Sequence, residues 1–276
     1  MMSRKLFCEI SPLTYRIAVQ RQILLRKMQD FPHRKTFATQ KSHDLLPVLL
    51  VHQKSLMRRK LGNVDLQLQE NKVVNLSLAA PKVSHVLIHP GETFSFWKLV
   101  GSCTEKKGYQ TGLVISKGLP SQGIGGGLCQ FTNLIHWLVL HTPLKITEHH
   151  HHDQMDLFPD YGRQIPFGTG TSIVYNYRDY RFFNPTDQTF QLIVYTDEKY
   201  LCGELRCEHP LNVKYHVRIE EEHFTRVKDK VYRRGKVYQV INDVQTGLTI
   251  HKNLIKENNA LLMYEIDPDK ITEEEL

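Results

Sequence analysis

The segment Gly123-Ile124-Gly125-Gly126-Gly127-Leu128-Cys129-Gln130 carries the residue types best suited to chemistry, and an apolar-rich run over 131–140 follows it at once. Glycines let backbone N–H groups converge and let a partner approach closely. A cysteine in the first turn of a helix has its thiolate favoured by the positive end of the helix dipole, which predicts a lowered pKa for Cys129. The N–H groups of Leu128, Cys129 and Gln130 would then be placed to stabilise an oxyanion. The plainer reading is a glycine turn before a core helix, with Cys129 packed as a small hydrophobe.

Helical spacing bears on the choice. A helix starting near Leu128 gathers Leu128, Phe131, Leu134, Ile135 and Leu138 into a core stripe. Cys129 falls on another side with Thr132, Asn133 and His136. That polar side predicts a cysteine lining a cleft. His136 lies ~10 Å further along the axis, too far to be a direct base, and is expected at the surface or hydrogen-bonded.

The second reactive cluster is Thr147-Glu148-His149-His150-His151-His152-Asp153. A cysteine at a helix N-terminus with a histidine on a later element is the layout of many cysteine hydrolases and acyl transferases. In that scheme Cys129 is the nucleophile, His152 the base, and Glu148, Asp153 or the more distant Asp179 orients the histidine. Glu148 also reads as a surface carboxylate paired with Arg163 or another base. A zinc site needs three or four ligands. Cys129, His150 and His152 would supply three, but consecutive histidines are a weak signal, so neither metal nor cofactor is expected. Trp97, Tyr109 and Phe131 read as core rather than as sugar-stacking platforms.

The elements that must position these residues follow from pattern. The chain has 276 residues, 41% hydrophobic and 24% charged, enough for one large domain or two small ones. Ser11-Pro12 starts a basic helix that Phe31-Pro32 ends, with Thr14 helping its first turn. A second helix is predicted over 43–60, with Pro47 in its first turn. Over 63–120, Val73, Leu76, Val83, Val86 and Ile88 sit in short strand-like runs. Pro90-Gly91-Glu92-Thr93 turns, Phe94 to Trp97 is an aromatic strand or loop, and Leu113-Val114-Ile115 is a further strand. Strands are expected over 172–175, 180–183 and 191–195, with turns at 168–170 and 184–187. A hairpin is expected within 231–238, inside a β region over about 210–266; the acidic tail from Lys270 carries no structural expectation. The fold class is α+β: N-terminal helices over 1–62, a central mixed β-rich region around one buried helix over 63–208, and a smaller C-terminal antiparallel β region over 209–276.

Net charge is +7, which tilts the chain toward anionic partners. No nucleic-acid motif is present, so a nucleic-acid role is not expected. The basic face of the first helix suggests a loose contact with an anionic membrane surface. The five cysteines have no paired metal-ligand spacing, and their odd count argues against a disulfide framework. No apolar run suits a secretion signal or a spanning helix; Leu45 to Val51 is too short. A cytoplasmic protein is expected.

Gly91-Glu92-Thr93-Phe94-Ser95-Phe96, Gly108-Tyr109, Gly125-Gly126-Gly127-Leu128-Cys129-Gln130, Glu148 with His152, and Asp179-Tyr180-Arg181-Phe182-Phe183-Asn184 together resemble the VanW family, in order, over about 90–200. The N-terminal helices and β tail resemble its short, signal-free members. Where that family tends to have an arginine and then one histidine after the glutamate, this chain has four histidines; His152 is the first choice for the family position and His151 the second. The resemblance implies an accessory role in glycopeptide resistance or cell-envelope maintenance. Three activities fit that context. One is binding of a cell-wall precursor or other anionic small ligand, in a cleft formed by Gly125, Gly126, Gly127, Leu128, Gln130 and Asp179. The others are a cysteine-dependent amidase, peptidase or acyl transferase acting on a wall-precursor peptide, and a structural scaffold.

Overall fold

The computed structural model describes residues 6–31, 36–59, 65–116, 119–151, 155–157, 159–160, 165, 167–175 and 177–273. The fold is α+β, with two of its helices ahead of most of the sheets. Helix α1 (Pro12–Asp30) starts as its sequence dictates: the Ser11 hydroxyl accepts from the Thr14 N–H, the Thr14 hydroxyl accepts from the Ser11 N–H, and Pro12 holds the first helical position.

The next two elements exchange the expected types. Val48–Leu56 is strand β1 and not a helix. Pro47 sits just ahead of it, where a proline costs the ladder no hydrogen bond, and the β-branched Val48 and Val51 suit a strand. Leu66–Val83, expected as strands, is helix α2. Its Asp65 cap accepts from the Gln67 N–H, and Leu68, Leu76, Ala79, Ala80 and Val83 form its buried face. Gln69, Lys72 and Asn75 are buried on the same helix and interrupt the apolar stripe that would have announced it.

Strands β2 (Val86–Ile88) and β3 (Thr93–Ser95) follow, then the single-turn helix α3 (Phe96–Val100), strands β4 (Thr111–Ser116) and β5 (Leu119–Ile124), and helix α4 (Cys129–Val139). After these come β6 (Lys145–Glu148), β7 (Met155–Asp156), β8 (Arg181–Phe183), β9 (Phe190–Thr196) and β10 (Tyr200–Cys207). Residues 172–175, expected as a strand, make only an isolated bridge between Val174 and Arg178. The C-terminal part holds three long strands, β11 (Val213–Val227), β12 (Lys230–Asp243) and β13 (Thr249–Leu262), and a short β14 (Ile271–Glu273). The expected hairpin over 231–238 is continuous strand; the chain reverses earlier, between Val227 and Lys230.

Four sheets result, in the orders β1-β10-β9-β2, β3-β8-β6, β4-β5 and β14-β11-β12-β13-β7. The last is antiparallel in its three long strands, with the short β14 and β7 added in parallel at its edges. In the first sheet, Phe190, Leu192, Val194, Leu201, Leu205 and Cys207 belong to the core that α2 and α4 cover. Gly203 lies under α4, and a Cβ there would stand 2.9 Å from Leu138 and 3.0 Å from Leu134. The stripe of Leu128, Phe131, Leu134, Ile135 and Leu138 is buried as its spacing requires.

Candidate functional site

The three-stranded sheet sets the site. Its register places Ser95 of β3 opposite Arg181 of β8, and Glu148 of β6 opposite the same Arg181 on the other side. Opposed residues on neighbouring strands point to one face, so three side chains far apart in sequence form one row.

Asp179, just ahead of β8, completes the row. It is almost fully buried; its carboxylate accepts from the Ser95 hydroxyl, from the N–H groups of Trp97 (3.1 Å) and Tyr180 (2.8 Å), and from Arg181 Nε (2.8 Å). Burial outweighs these partners and leaves its pKa raised. Arg181, with 4% of its side chain exposed, also gives a two-pronged contact to Asp30 of α1, at 2.7 and 3.1 Å. Burial opposes that charge, but Asp30 and Asp179 hold the guanidinium ionised beyond its ordinary range. Glu148 accepts from the Asp179 N–H at 2.8 Å, pairs with Arg26 of α1, and meets His150 Nε2 at 3.0 Å. Burial works against its charge, yet these partners keep its pKa below the ordinary value. Lys98 stands 3.3 Å from Asp30. The Phe37 ring lies 4.7 Å from the Lys98 ammonium and 5.2 Å from the Arg181 guanidinium carbon.

Helix α4 backs the row. His136 Nδ1 lies 3.1 Å from the Tyr180 hydroxyl, and the Phe131 ring is 5.4 Å from Phe96. His136, expected at the surface or hydrogen-bonded, is hydrogen-bonded and fully buried; its Nε2 has no partner among the described residues. The rings of His136 and His149 stand 4.0 Å apart, and those of His149 and His151 3.8 Å. Burial and the neighbouring imidazoles push His136 well down, and burial with His151 pushes His149 down to about 3. The histidine that meets Glu148 is therefore His150; the favoured His152, with Asp153 and Arg163, lies outside the described residues. Among the described residues no group of three or more His, Cys, Asp or Glu is arranged to hold a metal ion.

The glycine–cysteine segment is tightly packed. Gly125 and Gly127 take the left-handed conformation that favours glycine. Gly126 lies so close to Gly112 that a Cβ on either would overlap the other's backbone, and Lys72 fills the space over Gly127. Leu128 is core, and Gln130 ties α4 to β1 through Ser55 Oγ and the Leu56 carbonyl, each at 2.9 Å. The Gln130 N–H is spent on the Gly127 carbonyl at 3.0 Å. On the polar side of α4, Thr132 and His136 are buried and Cys129 and Asn133 half-buried; Thr132 meets Thr171, whose N–H and hydroxyl both donate to Asn133 Oδ1, at 2.7 and 2.8 Å. The expected low pKa of Cys129 does not hold. Burial pushes the thiol up, and among the described residues what counters it is backbone hydrogen bonding from Ile173 and Cys129 itself. Trp97, Tyr109 and Phe131 are core, as expected.

Arg181 lies inside one of the family-like motifs, yet only the sheet register shows which side chains it meets. Arg26 counts only toward the basic face of the first helix and Asp30 gives no signal, because nothing in a helix sequence says which distant strand it will meet.

The row is built from the same segments as the family likeness, and direct comparison decides the matter. Residues 71–206 match the family model described as VanW like protein. The vancomycin B-type resistance protein VanW of Enterococcus faecalis is 32% identical over 219 residues, covering 79% of each chain. The chain belongs to the VanW family. The uncharacterized protein YoaR of Bacillus subtilis is 32% identical over 114 residues, 41% of this chain and 36% of that relative. No solved structure is significantly similar. Within the VanW match lie α4 and every member of the ionic row; Arg26 and Asp30 stand outside it.

Proposed function

We propose that this VanW-family chain is an accessory protein of vancomycin resistance or cell-envelope maintenance that acts by binding an anionic small ligand, such as a cell-wall precursor, rather than by catalysis at Cys129. The context rests on the name of the Enterococcus relative and the extent of the match. The observation that carries the binding reading is the register that brings Ser95, Glu148 and Arg181 together beside Asp179. A buried arginine whose fork grips a carboxylate, as Arg181 grips Asp30, has the geometry that recognises a carboxylate or phosphate. The raised thiol pKa of Cys129 speaks against a nucleophile at neutral pH.

In this reading the glycine–cysteine segment holds α4 against the back of the row, and the ligand meets the row itself. All five cysteines are free, which fits a reducing, cytoplasmic location. The basic face of α1, with Arg16, Arg21 and Lys27, fits a loose contact with an anionic membrane surface, where lipid-linked precursors would be met.

The test is complementation in a resistant host that lacks its own copy. Arg181→Lys, which keeps the charge and loses the fork, lowers the vancomycin concentration tolerated; Cys129→Ser leaves it unchanged. The reverse pattern would overturn the reading in favour of cysteine chemistry.

A further inference from the structure

Helix α1 is an unusual neighbour for so buried a charge cluster. None of its 19 residues is buried, and Leu13, Ile17, Leu24 and Met28 are turned to solvent. A helix that belonged to the core would bury its apolar stripe. The contacts of α1 with the row are ionic. The Asp30 side chain is 7% exposed against Arg181 and Lys98, and Arg26 is 15% exposed against Glu148. Asp30 thus presents a carboxylate to the fork of Arg181, and Arg26, one helical turn earlier, presents a cation to Glu148. Both lie outside the stretch matched to the family model, whereas their partners lie within it.

Building on the binding role assigned to the row, we propose that Arg181, Lys98 and Glu148 form a recess for a ligand carrying a carboxylate and a cation a short distance apart, and that α1 fills this recess with Asp30 and Arg26 until the ligand displaces it. The chemistry of the ligand is that of a short zwitterionic peptide. Side chains four apart on a helix stand ~5–6 Å apart at Cβ, a separation that the two ends of a dipeptide can span. Phe37, beneath both Arg181 and Lys98, gives the recess an apolar floor. Removing α1 takes away one charge of each sign, so the row keeps its balance of Arg181 and Lys98 against Glu148 and Asp179. A displaced α1 carries its exposed apolar residues and its arginines away from the site together.

The test titrates the full chain with alanyl-alanine and with its C-terminal amide. The variant Arg26→Ala/Asp30→Asn unlatches α1 without altering the recess. It binds the dipeptide at least tenfold more tightly than the unaltered chain, binds the amide at least tenfold more weakly than the dipeptide, and loses binding when Arg181→Lys is added. In the unaltered chain, saturating dipeptide speeds hydrogen exchange of the amides over 12–30, a readout that needs no variant to fold. Equal dipeptide affinity with and without the latch, and unchanged exchange in α1, would overturn displacement while leaving the row as a binding site. Absence of binding to every form would overturn the recess and the peptide ligand together.

Discussion

Asn75 donates its side-chain amide to the Gly126 carbonyl at 2.9 Å, so the middle of α2 holds the loop that launches α4. The same residue clasps the backbone of Gln110, donating to its carbonyl at 2.9 Å and accepting from its N–H at 2.8 Å. Asn75 is fully buried, and each of its bonds satisfies a backbone group. Asn75→Ala therefore strands three polar groups and destabilises the chain by about 3 kcal/mol, since each buried unsatisfied group costs roughly 1–3 kcal/mol. Urea denaturation checks this. A midpoint within error of the unaltered chain would mean that the loop does not depend on α2.

This clasp also shows why parts of the fold were legible and others were not. The Ser11–Thr14 cap and the α4 stripe are local patterns, and both were readable from residues alone. Helix α2 was not, because it buries Gln69, Lys72 and Asn75 to serve the glycine loop, and buried polar residues erase the helical period of apolar ones. Strand β1 was misread because a short apolar run has no periodicity to tell helix from strand. Glu148 and Asp179 were legible as candidates by type and spacing. Their relation to Arg181 was not, since it depends on strand register across 95, 148 and 181.

Lys72 is buried beneath Gly127 with its ammonium 2.7 Å from Gln69 Oε1, and burial with the nearby charge of Arg59 lowers its pKa to about 7. An unfolded lysine binds its proton up to about pH 10.4, so the unfolded state holds more protons between about pH 7 and 10. Stability contributed by this position therefore rises with pH across that window. Lys72→Met keeps the stem against Gly127 and removes the buried amine. It raises stability at pH 7 by about 1 kcal/mol or more, and the advantage shrinks toward pH 10. Thermal melts at both pH values decide; a loss of stability at pH 7 would mean that the ammonium is needed.

His149 gives a second titration with a distinct window. Its folded pKa is lowered to about 3 by burial and by His151, against about 6.5 when unfolded. The unfolded state thus takes up a proton that the folded state refuses, and stability falls as pH drops from about 6.5 toward 3. Glu148 and Asp30, whose pKa values are also lowered against the opposing pull of burial, lose their contribution only below the ordinary carboxylate range. Denaturation midpoints between pH 7 and 5 therefore report the histidines. His149→Gln flattens that decline; an equally steep decline in the variant would place its cause elsewhere.

The most direct test of the account is the pH profile of Cys129 alkylation by iodoacetamide, read peptide by peptide in the unaltered chain. Burial raises this thiol above its ordinary range, so labelling is slow at neutral pH and climbs only under alkaline conditions, lagging a free cysteine. Fast labelling that is already at its plateau near pH 7 would show an activated thiolate and return the chemistry of this VanW-family chain to Cys129.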